Sequence, residues 1–401
     1  MKLRRGPYQP VKAIALEQQQ KLKYILTHSL SPFYLQKFKE VQGLPNISIS
    51  SLPLTTSDEF RASPPEDRIT QPDIASLIPI STSGSSGKPL TVYMSGREYL
   101  LSQLKQLIFF QQLGWKPWWK TIFLWDVDKS SSKSFFQTLV NLKKKVIDIS
   151  APLDVQAKMI KSSSPDLLMS TTDALNALAA WSIHNKIAMP RVRLIITCGS
   201  PLSPQTRNLL TSTFNAKCAD IYGANECGYL GFQCPHCGLY YFNEDSHILE
   251  VLDQENSPAD HGSLVITALD RRTTPLIRYH IGDMVTLAPR EHVCRIQFRH
   301  FTSIDGRSTD VLLLPGGGTV TYLSTMKINS IDGLAQFQIV QTGPESYLFR
   351  YVKNDSVSES DIIQKVKTLL PEEMLPGLTF QKEKLIHPDK TGKYKVIINQ
   401  Q

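Results

Sequence analysis

The chain has 401 residues, of which 41% are hydrophobic and 20% charged, and its formal net charge is +8. These values are typical of a globular protein with two or three domains, and no apolar run approaches the ~20 residues of a membrane-spanning helix. The densest basic tract, the lysines at 143–145, lies in a strand-like segment and is interpreted as a solvated strand end rather than a nucleic-acid patch. An anionic small molecule such as a nucleotide would account for a positive cleft equally well.

The N-terminus is basic but has no apolar segment of the kind found in secretory signals. We therefore expect a cytoplasmic protein that contacts neither membrane nor nucleic acid. In that compartment cysteines are expected to be free thiols or metal ligands rather than disulfides. The chain has six of them: Cys198, Cys218, Cys227, Cys234, Cys237 and Cys294.

The pattern along the chain first predicts a helix over 13–28, followed by a Pro- and Ser-rich connection. Between 74 and 230, apolar strand-like runs alternate with helical stretches, which is typical of a mostly parallel α/β sheet. The predicted elements are strand 121–125, helix 131–142, strand 145–149, helix 152–162, strand 167–169, helix 172–186, strand 192–196, helix 203–214 and strand 219–222.

After residue 240 the predicted helices stop and short alternating strands take over, as at 263–267 and 284–287. From about 307 a small α+β module follows, with strands at 336–340, 347–352 and 394–398 and a helix at 358–370. The predicted fold class is α/β. A large N-terminal domain (1–306) combines a mostly parallel α/β sheet with a β-rich part (240–306), and a small mobile α+β C-terminal domain (307–401) follows.

Residues 81–89, STSGSSGKP, form a Ser- and Gly-rich loop between an apolar stretch and the strand-like segment 90–94. Glycine lets backbone N–H groups converge on an anion, while hydroxyl groups and Lys88 add donors and charge. The composition therefore predicts a phosphate-binding loop, although the spacing is not that of a Walker A motif. The alternative is a flexible linker.

Further motifs follow in order: TCGSPLS at 197–203, IYGANECG at 221–228, PLIRYHIGD at 275–283, DGRSTD at 305–310 and HPDKTGKYK at 387–395. Together with the loop they resemble the adenylate-forming superfamily of acyl- and aryl-CoA ligases, peptide-synthetase adenylation domains and luciferases. The resemblance is strongest to the phenylacetate-CoA ligase branch, whose members carry SSGTTGKP, YGxSE, PLIRYRTGD and GRSDD. Residues 32–34 and 52–57 also resemble the opening of that branch.

The resemblance implies an acid–thiol ligase. Such an enzyme activates a carboxylic acid, here expected to be small and aromatic, as an acyl-AMP with release of pyrophosphate. It then passes the acyl group to the thiol of CoA or of carrier-protein phosphopantetheine. An acyl carrier protein is thus one expected partner, and the chain is expected to be a monomer or a homodimer. The alternatives are transfer to an amine, a reaction that stops at the adenylate, and a catalytically silent relative that acts as a binding module.

By resemblance, Lys393 neutralises the α-phosphate and Glu226 holds Mg²⁺, a cation that prefers oxygen ligands. Asn225 replaces the usual Thr or Ser before that glutamate and can still donate a hydrogen bond to a phosphate oxygen. Asp283 accepts hydrogen bonds from both ribose hydroxyls, and Arg307 assists at the ribose. The other expected ATP contacts are Thr82, Ser83, Gly84, Ser85, Ser86, Gly87, Lys88, Ser200, Tyr222 and Gly223.

Besides Asn225, three positions depart from the family pattern. His280 replaces the Arg of RYRTGD. Ser200 stands where many relatives have Glu, and Thr309 stands at the hinge where relatives have Asp or Lys. Because threonine is β-branched and uncharged, we expect a slower movement of the C-terminal domain between the two half-reactions.

The segments CPHC at 234–237 and HVC at 292–294 predict a closed tetrahedral zinc site. Its ligands are Cys234, Cys237, His292 and Cys294, and a site without an open position is structural rather than catalytic. His236 and Cys227 are reserve ligands. The alternative is a set of reduced thiols without metal.

Overall fold

A computed structural model describes the chain over residues 6–40, 48–71, 73–81, 90–125, 144–200, 202–234, 236–289, 294–307, 311–316, 318–321, 325, 328, 331–353, 357–386 and 396–400. The chain forms two compact units, each built from two stretches of sequence. The first unit contains Met1–Gly114 and Ile221–Ile304, and the second contains Trp115–Asp220 and Asp305–Gln401.

The α-helices are α1 (Val11–His28), α2 (Pro32–Lys37), α3 (Ser57–Ala62), α4 (Gly96–Gln112), α5 (Leu153–Ser163), α6 (Thr172–His184), α7 (Pro204–Phe214) and α8 (Glu359–Leu369). Within the described ranges, none of these helices combines the length and the hydropathy that crossing a membrane requires.

The strands are β1 (Thr55–Thr56), β2 (Ile78–Ser81), β3 (Thr91–Met94), β4 (Thr121–Trp125), β5 (Lys144–Asp148), β6 (Leu167–Thr171), β7 (Leu194–Cys198), β8 (Lys217–Ala224), β9 (Gly228–Gln233), β10 (Tyr240–Phe242), β11 (His247–Leu252), β12 (His261–Ala268), β13 (Tyr279–Leu287), β14 (His300–Arg307), β15 (Val311–Leu313), β16 (Thr319–Thr321), β17 (Leu334–Gly343), β18 (Ser346–Lys353), β19 (Leu378–Lys382) and β20 (Ile397–Asn399).

The second unit contains the parallel sheet that the alternating pattern predicts. Strands β5, β4, β6 and β7 lie side by side in that order, and every pair is parallel. Strand β6 is buried along its whole length, as expected for a parallel strand covered on both faces. The Thr171 side chain accepts a hydrogen bond from the Ala174 backbone N–H and so starts α6 directly after β6.

The first unit contains the predicted β-rich part. Its strands follow the order β11, β12, β13, β14, β10, β9 and the end of β8, while β1 pairs in parallel with β13. Buried residues of the sheet pack with α1, α2 and α3 in one hydrophobic core that includes Ile25, Phe60 and Tyr279. The mixed architecture confirms the predicted α/β fold class.

A smaller α+β sheet lies in the C-terminal stretch of the second unit, as predicted. Its strand order is β19, β18, β17, β20. Helix α8 contributes Ile362 and Val366 to a separate core that also contains Phe349. The predicted domain boundary at 306/307 lies close to the unit boundary at 304/305 and stays a prediction for the domains as such.

Two buried side chains attach the N-terminal segment to the PLIRY motif. Arg278 donates from Nε and Nη2 to both carboxylate oxygens of Glu250, at 3.1 and 2.8 Å, and from Nη1 to the Leu52 carbonyl. The Tyr34 hydroxyl accepts a hydrogen bond from the Ile277 backbone N–H at 2.9 Å. These contacts explain why residues 32–34 and 52–57 accompany this motif.

Candidate functional site

The YGANECG motif forms a tight β-hairpin in the first unit. Strand β8 ends at Ala224, which pairs with Gly228 at the start of β9, and the Cys227 N–H closes the turn onto the Ala224 carbonyl at 3.0 Å. Gly228, the first residue of β9, has φ +81°, a left-handed conformation that favours glycine. At Gly223, a Cβ would lie 2.6 Å from the Gly228 carbonyl oxygen, so the close approach of the two strands requires glycine.

Asn225 lies at the tip of this hairpin and ties it to the end of β2. Its Nδ2 donates to the Ser81 carbonyl oxygen at 3.0 Å. Strands β2 and β3 pair antiparallel, with Ser81 opposite Thr91, so the Ser/Gly segment connects two adjacent strands. The predicted phosphate-binding residues Thr82, Ser83, Gly84, Ser85, Ser86, Gly87 and Lys88 themselves lie outside the described residues.

Glu226, the predicted magnesium ligand, is only 7% exposed although it lies in a turn. A buried carboxylate needs a compensating positive charge or hydrogen bonds. Arg271, which is equally buried, lies near it. Burial lowers the pKa of Arg271, and the nearby charges of Glu98 and Glu226 oppose that shift. The hairpin therefore carries a buried acidic group whose charge acts on a buried arginine.

Asp283 projects from an irregular part of β13. Ser263 pairs with Met284 and Val265 pairs with His280, so three residues, 281–283, lie opposite Leu264. Within this bulge Gly282 has φ +91°. Bulges redirect side chains at sites of this kind, and here the redirected side chain is the predicted ribose-binding carboxylate.

Tyr222 and Asp283 meet directly. The Tyr222 hydroxyl donates to Oδ2 of Asp283 at 2.5 Å. Burial, together with the charge of Asp283 and the hydrogen bond to it, raises the pKa of Tyr222 well above its ordinary value. The phenol therefore stays protonated at neutral pH and acts as the donor. The structure thus brings together two of the predicted nucleotide-binding residues from motifs 61 residues apart.

Ser200 belongs to the second unit and follows β7. The Ser200 hydroxyl donates to the carboxylate of Asp173, and its backbone carbonyl accepts from the Thr172 hydroxyl at 2.7 Å. These residues lie at the carboxyl ends of β6 and β7, where parallel α/β sheets place their ligand-binding groups. Sequence reasoning did not identify Asp173, which resembles any other acidic residue in the first turn of a helix.

Some predicted residues cannot be placed. His292, Thr309 and Lys393 lie outside the described residues. Arg307 is the last residue of β14, but only its backbone is described, so its side chain is not placed.

Three of the four predicted zinc ligands lie together in the first unit. The sulfur atoms of Cys234, Cys237 and Cys294 all lie within 4.8 Å of one another. The Cys234 and Cys294 sulfurs are 3.9 Å apart, and the Cys237 sulfur lies 3.6 Å from the Tyr241 hydroxyl. Four sulfur ligands at ~2.3 Å around one tetrahedral ion would be separated by about 3.8 Å, so these distances fit a zinc site.

Two thiols of this cluster, Cys237 and Cys294, have shifted pKa values. Desolvation opposes ionisation of Cys237, but hydrogen bonds to the Leu239 backbone, Tyr241 and the other two cysteines outweigh it and lower its pKa. The hydrogen bond to Cys237 is the main reason that the pKa of Cys294 rises to about 11.

Several known proteins resemble the chain, and three of them are described here. It is 22% identical to Protein CapK of Staphylococcus aureus over 343 residues, which is 80% of this chain and 73% of that protein. It is 22% identical to phenylacetate-coenzyme A ligase of Pseudomonas putida over 356 residues, 83% of this chain and 80% of that one. The crystal structure of 2-hydroxyisobutyryl-CoA ligase in the postadenylation state with R3-HIB-AMP has a TM-score of 0.81 at 18% identity, covering 99% of this chain and 92% of that one.

A family model described as "AMP-binding enzyme" matches residues 11–268. The matched stretch contains the Ser/Gly segment and the hairpin with Tyr222 and Glu226, which confirms the resemblance to adenylate-forming enzymes. Because the match covers more than half of the sequence, the chain belongs to the AMP-binding enzyme family.

Proposed function

We propose that the protein is an ATP-dependent acid–thiol ligase. A carboxylate oxygen of the acid attacks the α-phosphorus of ATP, the bond to the bridging oxygen breaks, and pyrophosphate leaves with the acyl-AMP as product. A thiol then takes the acyl group and AMP leaves. The observation that carries this proposal is the Tyr222–Asp283 hydrogen bond, since it joins two motifs that the family uses for the nucleotide.

The described residues support the first half-reaction. Catalysis of phosphoryl-type transfer consists mainly of positioning and of neutralising charge on phosphate oxygens. Glu226 would hold Mg²⁺, which supplies positive charge at the phosphates when bound. Asn225 fixes the hairpin tip to the start of the proposed phosphate loop through Ser81, so that both would act on one phosphate chain. Lys393 and Arg307 would complete the site.

The acid and the acceptor belong to the proposal as well. We infer a small aromatic acid, because the chain resembles a phenylacetate-coenzyme A ligase along most of its length. The acceptor thiol would be that of CoA or of carrier-protein phosphopantetheine, and the resemblance to two CoA ligases supports CoA.

ATP–pyrophosphate exchange, measured across a panel of aromatic and aliphatic carboxylic acids, tests this function. We expect exchange that depends on both Mg²⁺ and one class of acid, because formation of the adenylate is reversible in the absence of acceptor. Addition of CoA should then convert the same acid to a thioester, detected by mass spectrometry. A protein that neither binds ATP nor catalyses exchange with any acid would overturn the proposal. Formation of an amide when an amine replaces CoA would identify an amine as the acceptor.

We also propose that the cysteine cluster holds a structural zinc ion, with Cys234, Cys237 and Cys294 joined by His292. The clustering of Cys294 with Cys234, which lies 60 residues away in sequence, and with Cys237 supports this. Zinc would lock the turn after β9 to the segment before β14 without offering a position for substrate.

Metal analysis of the purified protein should therefore find about one zinc per chain. Cys234→Ser should lose the metal and lower the melting temperature by roughly 5–10 °C, because a structural metal contributes directly to folding stability. Cys198→Ser, outside the cluster, should keep the zinc. Protein prepared without chelator that contains no zinc would contradict this site.

A further inference from the structure

The amino ends of five adjacent strands in the second unit lie side by side. Lys144, the first residue of β5, pairs with Thr121 of β4, and Thr121 also pairs with Leu167 of β6. Strand β7 pairs with β6, and the Lys217 N–H at the start of β8 donates to the Arg193 carbonyl just before β7 at 3.3 Å. Because neighbouring strands lie ~4.8 Å apart, this row of strand starts spans about 19 Å.

Cations dominate this edge of the sheet. Among the described residues 116–120, 144–145, 164–167, 190–194 and 215–217, Asp166 is the single acidic residue. Its carboxylate already accepts hydrogen bonds from Arg193 Nε at 2.8 Å and from the Lys120 backbone N–H at 3.0 Å. The same ranges contain seven basic residues, all exposed, which together with Trp118 we call the basic edge: Lys116, Lys120, Lys144, Lys145, Arg191, Arg193 and Lys217.

The basic edge carries an exposed tryptophan on a turn. The Trp119 N–H donates to the Lys116 carbonyl at 3.0 Å and closes a β-turn with Trp118 at its third position. Trp118 is 68% exposed, more than any other large hydrophobic side chain in the described part of the chain, and the Lys116 Nζ lies 5.6 Å from its ring centroid. Trp115, just before the turn, is buried, and its Nε1 donates to the Thr121 hydroxyl at 3.2 Å. The turn is thus anchored to β4 while it presents an apolar ring to solvent.

We propose that the basic edge binds the surface of an anionic lipid membrane, with the Trp118 ring inserted among the headgroups. Tryptophan prefers the boundary between membrane and water, because its ring system is apolar and carries one hydrogen-bond donor. Each cation near an anionic lipid surface adds attraction, and an apolar insertion combined with a basic cluster is a usual basis of reversible attachment. This binding is a property beyond the proposed ligase activity.

The composition of the basic edge favours lipid over protein and nucleic acid. Five of its seven cations are lysines, which are depleted at protein–protein interfaces and act as point charges without a required partner geometry. Single-stranded nucleic acid binds by stacking on successive aromatic rings, and Trp118 is the one largely exposed ring among the residues described for this edge. A layer of anionic headgroups above an apolar interior matches both the charges and the ring.

The basic edge lies opposite the edge that carries Ser200 and Asp173. Strands β5, β4, β6 and β7 are parallel and have five residues each, so their amino and carboxyl ends are about 16 Å apart. A membrane at the amino ends would therefore leave the Ser200 edge uncovered. The sequence-based expectation of no membrane contact was drawn from apolar runs and basic tracts. Neither detects this surface, because its cations are spread over 116–217 and only strand pairing brings them together.

The test is co-sedimentation of the protein with vesicles of phosphatidylcholine alone and with vesicles that also contain phosphatidylserine. We expect binding to the anionic vesicles only, and binding that weakens as salt is raised because the attraction is electrostatic. Lys116→Gln/Lys120→Gln should weaken binding about 30-fold, the effect of removing two cations near an anionic surface. Trp118→Ala should weaken it about tenfold, because it removes the inserted apolar ring.

Matched controls come from exposed residues of the first unit. Lys12→Gln/Lys23→Gln removes two exposed lysines of α1, and Tyr8→Ala removes a ring that is 55% exposed; both should bind vesicles like the wild type. Insertion has its own readout, since the tryptophan emission of the wild type should shift to shorter wavelength with anionic vesicles. Trp118→Ala should lose that shift. Melting temperatures measured alongside show that folded proteins are compared.

A protein that does not bind anionic vesicles would overturn the inference, as would losses in the α1 control equal to those in Lys116→Gln/Lys120→Gln. Binding to single-stranded RNA, duplex DNA or immobilised polyglutamate without binding to vesicles would assign the surface to nucleic acid or to an acidic protein and would also overturn it. All of these measurements are made without nucleotide or acid. Their outcome is therefore separate from that of the exchange assay, and either proposal can fail while the other stands.

Discussion

Replacing Lys393 by alanine is expected to reduce ATP–pyrophosphate exchange about 100- to 1,000-fold, the usual effect of removing one group that stabilises charge in the transition state. Lysine places a point charge on a long stem, which suits neutralisation of the α-phosphate. Thiolysis of a synthetic acyl-AMP should continue at close to the native rate, since the thiol attacks the acyl carbon in that step and the α-phosphorus undergoes no substitution. The two half-reactions are measured separately.

Lys382→Ala is a matched control for Lys393→Ala. Lys382 is an exposed lysine on β19 of the same C-terminal sheet, and its removal should change neither half-reaction. Native exchange in Lys393→Ala would remove this lysine from the mechanism. Equal losses in both half-reactions would indicate a structural defect instead.

Glu226→Gln is expected to reduce exchange by about 100-fold, because a metal-binding carboxylate provides several kcal/mol of charge stabilisation. Glutamine has the same size, so the hairpin should be retained. The variant should also require a higher Mg²⁺ concentration for half-maximal exchange, which is measured by titrating the metal at saturating ATP.

Glu250→Gln provides the matched control for this second prediction. Glu250 is also a buried carboxylate beside an arginine, with side-chain exposure of 14% against 8% for Arg278. The substitution leaves the charge of Arg278 without its carboxylate partner and should lower the free energy of unfolding by about 3 kcal/mol, without changing the Mg²⁺ requirement of the remaining folded enzyme. Glu226→Gln with native exchange would mean that Glu226 serves only to shape the turn.

The helices and strands could be predicted from the sequence wherever the hydrophobic periodicity agrees with the capping and turn residues at both ends of the segment. Strand 121–125 was predicted with the bounds of β4. The predicted helix 152–162 is shifted by one residue at each end from α5, and the predicted helix 203–214 differs from α7 by one residue at its start. Such segments bury an apolar face in any α/β context, so local pattern and tertiary structure favour the same conformation. The grouping of 115–220 with 305–401 in one unit has no local signature.

Some residues of the candidate site could likewise be predicted from the sequence, whereas others could not. The motifs identified Tyr222, Glu226 and Asp283, since residue type and order are visible in the sequence. Arg271 was missed, although it is the cation beside Glu226. Its neighbour Arg272 instead lies over the Tyr24 ring at 4.2 Å, and nothing in the pattern of two consecutive arginines distinguishes the buried one from the exposed one.

The sequence by itself determined the fold class, the family and the identity of the polar residues, because each of these depends on residue type at a fixed spacing. Only the tertiary structure decided which of them meet: Tyr222 with Asp283, Asn225 with the Ser81 carbonyl, and three cysteines around one point. Hydrogen bonds act over about 3 Å, and strand order, the bulge at 281–283 and the turn at 224–228 together bring such groups within that distance. These features arise from pairing between distant segments, which no local stretch of sequence contains.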